Sequence, residues 1–455
     1  EDSLAHPFAG VFETKMIPNN QADSSTRFRR LIEAIKFVYA STFMRPAAHF
    51  IRAIGKDLRE ERMAVVIQEV VGGAFGDRFY PEVSGVCRSY NYYRAGTAKP
   101  EEGVVSLALG LGKTIVDNRV SWSYSPAHPK VRPPFATPRE LMRNTQLRFW
   151  AVNMGTPPAF DPTKETEYMV EAELADADYD GTLEFVASTY EASLEILMAG
   201  VGGKGPRVID FAPLLQLKLW PVNEVIRRVL DVFKRETGNA VEIEFALTFP
   251  KTRGGYARLV VLQVRPMMVS RKHIDLTGAG RQDPNLLVYS RHVMGNGTVT
   301  DLRDIVYVKP EVFEARRTSQ IARELESVNR FLQTQGKRYV LIGFGRWGSS
   351  EPWLGIPVNW GQISEAAVII EATLPEMNVE PSQGSHFFHN IQSFEVSYFC
   401  VQHDHDPPID WGWLSKQRVI METDTIRHVE SSGPLTVKAD GRIGKGAIWH
   451  DREET

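Results

Sequence analysis

Two short stretches constrain this chain more than any other feature: Val241-Glu-Ile-Glu-Phe-Ala246 and Val261-Leu-Gln-Val-Arg-Pro266. Both alternate apolar and polar residues, the period of a β-strand with one buried face. The intervening Pro250-Lys-Thr-Arg-Gly-Gly255 supplies turn residues, so strands over 240–248 and 257–264 are expected to form a hairpin. Alternate side chains of a strand share a face. Glu242 and Glu244 therefore point the same way, as do Gln263 and Arg265 on the partner. Two carboxylates, an amide and a guanidinium on one face suit a Mg²⁺-bound triphosphate. The hard cation takes oxygen ligands, and the arginine offsets phosphoryl charge. An exposed polar face with a cross-strand ion pair is the other reading of the same pattern.

The rest of the chain divides into three regions. At 455 residues, two or three domains are expected. The first region runs to about residue 120. It holds an amphipathic helix with Phe28, Leu31, Ile32, Ile35 and Tyr39 on one face, capped by Asp23, Ser24 or Ser25. The apolar run Met63-Ala-Val-Val-Ile-Gln-Glu-Val-Val71 then reads as a buried strand stopped by Gly72 and Gly73. The second region, 121–270, carries a helix after Trp220-Pro221 with Val222, Val225, Ile226, Val229, Leu230 and Phe233 inward, and then the hairpin. Residues 271–286, with Gly278, Gly280 and Pro284, read as a linker. The third region, 287–455, opens with strand-like segments and a long helix over 310–335.

Composition narrows the function classes. A net charge of −3 gives no broad electrostatic case for nucleic acid or an anionic membrane. No apolar run reaches membrane-spanning length. Two cysteines, Cys87 and Cys400, make neither a disulfide framework nor a cysteine-rich zinc site, and a cytoplasmic setting is expected. Two motifs invite misreading. Leu107-Ala-Leu-Gly-Leu-Gly-Lys-Thr114 ends like a phosphate-binding P-loop but has leucine where the first glycine is needed. Gly343-Phe-Gly-Arg-Trp-Gly348 follows a strand over 338–342 and fits a dinucleotide fingerprint. Pro352 and Pro357 stand where that fold needs a helix, so a tight turn with close backbone packing is expected.

The hairpin resembles the Asp-Ile-Glu-Trp/Phe-Ala … Leu-Gln-Ala/Thr-Arg-Pro motif that closes the ATP-grasp domain of phosphoenolpyruvate synthase and pyruvate, phosphate dikinase. Four more stretches match that family in order. They are Glu1-Asp-Ser … Phe8-Ala-Gly-Val-Phe-Glu-Thr14; Tyr39-Ala-Ser-Thr-Phe43 with Arg45; Met63 to Val70 with Ser84-Gly-Val86; and Ala108-Leu-Gly-Leu-Gly112 with Val116. The resemblance implies an α+β protein: a truncated ATP-grasp-like nucleotide-binding domain over 1–270, then a smaller mixed α/β module over 287–455. It implies ATP and Mg²⁺ as cofactors and an ATP-dependent phosphotransferase function. By the same resemblance, Gln68, Glu69 and Val70 would receive adenine through their backbone. Glu244 and Gln263 would hold metal, Arg265 would contact the terminal phosphate, and Glu242 would take the place of the family aspartate. Gly10 and Thr14 would lie in the phosphate loop.

The departures set further expectations. Relatives carry an Arg-Ser-Ser segment before Glu-Asp and a lysine-bearing subdomain before that, whereas this sequence starts at Glu1. Lys113 stands where many relatives have glutamate, and Pro7 where they have serine. Weak or no catalysis by this polypeptide alone is expected, with other domains of a longer parent chain as partners. A non-catalytic nucleotide-binding or scaffold module is the alternative. In the third region, Gln383-Gly-Ser-His-Phe-Phe-His-Asn-Ile391 loosely echoes the phosphohistidine motif of a swivelling domain, which would make His386 a phosphoryl carrier. The other reading is a structural histidine pair. His403-Asp-His-Asp406 reads as a turn before Pro407-Pro408 rather than a metal site. The phosphoryl acceptor is not named by any of these residues.

Overall fold

The computed structural model describes residues 12–53, 56–91, 98–117, 119–131, 137–143, 145–250, 252, 254–267, 269, 274–276, 283–349, 351–375, 377, 379 and 396–450. Helix α1 (Ser24–Ser41) starts where Asp23 accepts a hydrogen bond from the Thr26 amide. This is N-capping of an otherwise unsatisfied donor. Its buried face is Ala34, Phe37 and Ser41, whereas Phe28 and Tyr39 are exposed. The helix is thus rotated from the expected face. Leu31, Ile32 and Ile35 are half-buried. Helix α2 (Arg45–Ala53) follows.

The expected strand over 63–71 is absent. Residues 61–72 carry no regular secondary structure, and Val66 and Ile67 are exposed. Strands β1 (Gly73–Phe75) and β2 (Arg78–Tyr80) form a short hairpin, and β3 (Val83–Arg88), β4 (Val104–Ala108) and β5 (Trp122–Tyr124) run antiparallel in sequence. Helix α3 (Lys113–Val116) sits between β4 and β5. Strands β6 (Arg148–Asn153), β7 (Met169–Glu173), β8 (Ala187–Glu191), β9 (Ile196–Ala199) and β10 (Arg207–Ile209) come next. The helix Val222–Thr237 buries Val222, Ile226 and Leu230 as expected, but leaves Val225 exposed. It leads into β11 (Ala240–Thr248) and β12 (Arg258–Met267).

Among the described residues these strands assemble into sheets ordered β1-β2-β6-β7, β10-β8-β9 and β12-β11-β3-β4-β5. The five-stranded sheet joins the first two regions of the sequence. Among the described residues one of its two edge strands is β12, a position that tolerates Pro266, which has no amide hydrogen to donate. The main core of this unit is built on Tyr80, Leu107, Phe149, Ile226, Ile243 and Phe245 among others.

The third region is built on one large mixed sheet. Its strands are β13 (Leu286–Ser290), β14 (His292–Met294), β15 (Asn296–Val308), β16 (Tyr339–Phe344), β19 (Ala366–Ala372), β20 (Ser397–Val401), β21 (Arg418–Glu422), β22 (Ile426–Asp440) and β23 (Lys445–Trp449). The small pair β17 (Arg346–Trp347) and β18 (Gly355–Ile356) lies outside it. Strands β15, β16, β19 and β20 are parallel neighbours, which demands crossover connections. The crossover from β15 to β16 is the helix Thr318–Thr334. The single helix expected over 310–335 is broken at its start into 3₁₀ turns at Pro310–Val312 and Ala315–Arg317. Helix α2 does not pack with the first unit's core. Its Ala47, Phe50 and Ile51 belong to the core of this second sheet, and Phe12 packs against the same core.

Candidate functional site

The hairpin forms as the alternation requires. Strands β11 and β12 are antiparallel, with Glu242 opposite Arg265 and Glu244 opposite Gln263. After Glu244 the register shifts, so that Phe245 faces Val261 and Leu262 is skipped. Such a bulge bends the strand and re-aims its side chains, and bulges recur beside active sites. The carbonyl of the skipped Leu262 accepts a hydrogen bond from Gln68 Nε2 at 3.3 Å. At Gln68 the chain therefore meets the sheet edge through a side chain rather than through a strand ladder.

Four residues selected from the sequence meet on one face. Arg265 is buried, its Nη2 donating to Gln263 Oε1 at 2.8 Å. Its Nη1 lies 3.5 Å from Glu244 Oε1 and 3.8 Å from Glu242 Oε1. Glu242 is also buried, whereas the Glu244 side chain keeps 24% of its surface exposed. The more exposed carboxylate is the one a metal or ligand can reach. On the other side of β11, Arg88 of β3 stands opposite Glu242 and donates from Nε to Oε2 at 2.5 Å. Sequence reading missed Arg88. The signal was present: two residues past Val86, it falls on the same strand face as Ser84 and Val86.

Some of the remaining candidates lie outside the described residues. Thr14 and Glu69 are exposed and Val70 is half-buried. The chain around Thr14 is firmly anchored. The Glu13 amide donates to Ser41 Oγ, and the buried Lys15 ammonium pairs with Glu167 at 2.7 Å, near the rings of Phe37 and Tyr168. Burial, and then the neighbouring Glu165 charge, raise the Glu13 pKa above the ordinary carboxylate value. Lys113 lies 2.8 Å from Glu165 and 3.0 Å from Asp117. Burial opposes its charge, but these two carboxylates outweigh burial and raise its pKa. Gly10 and His386 lie outside the described residues. So does the 383–391 stretch.

Two further stretches read as turns from the sequence. At the Gly343–Gly348 turn, a Cβ on Gly343 would meet the Trp347 ring at 2.4 Å, so the backbone packs closely there. Residues 402–406 form a turn in which Asp406 accepts from the Gln402 amide at 3.0 Å. Among the described residues no group of three or more His, Cys, Asp or Glu side chains could hold a metal.

The row does fit magnesium chemically. Glu244 and Gln263 offer a carboxylate and an amide oxygen from facing positions. Mg²⁺ is ordinarily held by one or two protein oxygens together with substrate phosphates and water. The buried guanidinium of Arg265 beside them suits an anionic oxygen.

Among the described residues no helix is long and apolar enough to cross a membrane. No curated protein matches the chain. The family model described as pyruvate phosphate dikinase, AMP/ATP-binding domain, matches residues 1–281, more than half of the chain. The chain therefore belongs to the pyruvate phosphate dikinase AMP/ATP-binding family, and its ATP-grasp-like α+β unit is an ATP-binding domain of the phosphoenolpyruvate synthase type.

Proposed function

We propose that this chain binds Mg-ATP against the β11–β12 hairpin, as the nucleotide-binding part of an ATP-dependent phosphotransferase. The observation that supports this best is the in-register row in which Arg265 touches Gln263 and lies beside Glu244. In this reading the backbone of Gln68 to Val70 receives adenine at the sheet edge. Glu244 and Gln263 contribute metal ligands, Arg265 meets the terminal phosphate, and Thr14 lies along the phosphates. Bound Mg²⁺ would offset phosphoryl charge. Glu242 is the buried counter-charge that stands between the two arginines rather than a direct ligand. A cytoplasmic location goes with a chain whose two cysteines are both buried.

One observation favours a second reading, nucleotide binding without transfer. Lys113, the cation nearest the Gly110-Leu-Gly112 turn in sequence, spends its charge on Asp117 and Glu165. Calorimetry with Mg-ATP on the full chain and on Glu244→Ala tests the site. Loss of a charged ligand is expected to weaken binding roughly tenfold or more. Equal affinity would remove Glu244 from the site. ATP labelled separately on its β- and γ-phosphates then separates the two readings. Acid-labile label on the protein supports transfer, and binding without label supports the non-catalytic module.

A further inference from the structure

Arg88, Glu242 and Arg265 form one cross-strand row: Glu242 is the register partner of Arg88 on one side and of Arg265 on the other. A single buried carboxylate thus stands between two guanidinium groups. It is not shared equally. Arg88 takes one oxygen at 2.5 Å, whereas Arg265 stays 3.8 Å from the other. The closer contact of Arg265 is with Gln263, at 2.8 Å along the face. A carboxylate this buried needs a counter-charge at close range, because an unpaired one is costly. Arg88 supplies one at 2.5 Å.

We propose that Arg88 is a positioning residue for Arg265. By holding Glu242, it keeps Arg265 from closing into a bidentate pair with that carboxylate and leaves it turned toward Gln263 and Glu244, where the terminal phosphate would lie. This rests on the nucleotide reading given above. Without Arg88, Glu242 turns to its other register partner. Arg265 then closes onto Glu242 and turns away from Gln263 and Glu244, so that its guanidinium no longer faces the place of the terminal phosphate.

The chemistry yields a readout that ordinary loss of packing would not. In the full chain, Arg88→Met should weaken Mg-ATP binding roughly tenfold while leaving adenosine binding unchanged, because adenosine carries no phosphate. Adding Glu242→Gln to Arg88→Met removes the carboxylate that would capture Arg265. The double variant should recover most of the preference for ATP over adenosine. Arg88→Lys keeps the charge and should fall between wild type and Arg88→Met. Matching thermal melts would show that each variant folds.

Equal loss of ATP and adenosine in Arg88→Met would mean a merely structural role and would overturn the inference. So would an unchanged ATP preference, or a preference lost in Arg88→Met and not recovered in the double variant. Wild type that binds adenosine but shows no preference for ATP would overturn it together with the phosphate site itself.

Discussion

At the scale of single residues, buried charges carry the sharpest consequences. Lys15 and Glu167 pair at 2.7 Å with side chains almost fully buried. Removing one partner leaves the other charged and dry, which costs about 3–5 kcal/mol in such pairs. Lys15→Met should therefore lower stability in urea denaturation by about that amount. Lys15→Met with Glu167→Leu should recover part of it. Asp304 gives a pH test. Burial raises its pKa, but hydrogen bonds from His428 and Lys337 outweigh burial and bring it below the ordinary value. A depressed carboxylate contributes stability above its unfolded pKa, about 3.9, and loses it as pH falls through the folded value. The melting temperature of the wild type should therefore fall from pH 5 toward pH 3 more steeply than that of Asp304→Asn. Parallel slopes would show that Asp304 contributes nothing to acid stability.

At the scale of elements, the β3–β11–β12 ladder decides whether the site exists. Gly85 of β3 lies against the tip of the Phe245 ring, and a Cβ there would come within 2.1 Å of its Cζ. Gly85→Ala should cost about 1–3 kcal/mol by overpacking and should weaken Mg-ATP binding, because Arg88 and Glu242 pair across the same two strands. Unchanged stability would mean that Phe245 can swing aside. The hairpin was legible because its information is local: alternation and turn residues. The run 63–71 was not. Apolar residues become a strand only when a neighbouring edge accepts their backbone groups. Here Gln68 reaches Leu262 through its side chain, and Val66 and Ile67 face solvent. The face of α1 was misread for a related reason. Periodicity shows that a helix has an apolar side, but not how far along it the neighbouring surface extends.

At the scale of the whole molecule, chain order and packing order part company. Helix α2 lies between two segments resembling the ATP-binding family, yet its Phe50 and Ile51 are buried in the core of the large C-terminal sheet. Arg119 of the first unit stands 3.8 Å from Glu351 of the second. The two halves are therefore built together. A chain ending at residue 286 should expose the apolar face of α2 and the Phe12 contact. It should bind a hydrophobic dye and be cleaved by protease within 45–53 faster than the full chain. Equal protease resistance would show that α2 is held by the first unit alone.

The sequence by itself determined the period of the hairpin, its turn, which four side chains share a face, and the family. All of these depend on residues close together along the chain or on motifs read in order. Tertiary structure decided what each polar group answers to. It brought Arg88 opposite Glu242 across 154 residues, set Lys113 between Asp117 and Glu165, and gave α2 to a distant core. Burial makes each of these charges demand a partner, and which partner is in reach depends on how separate segments pack.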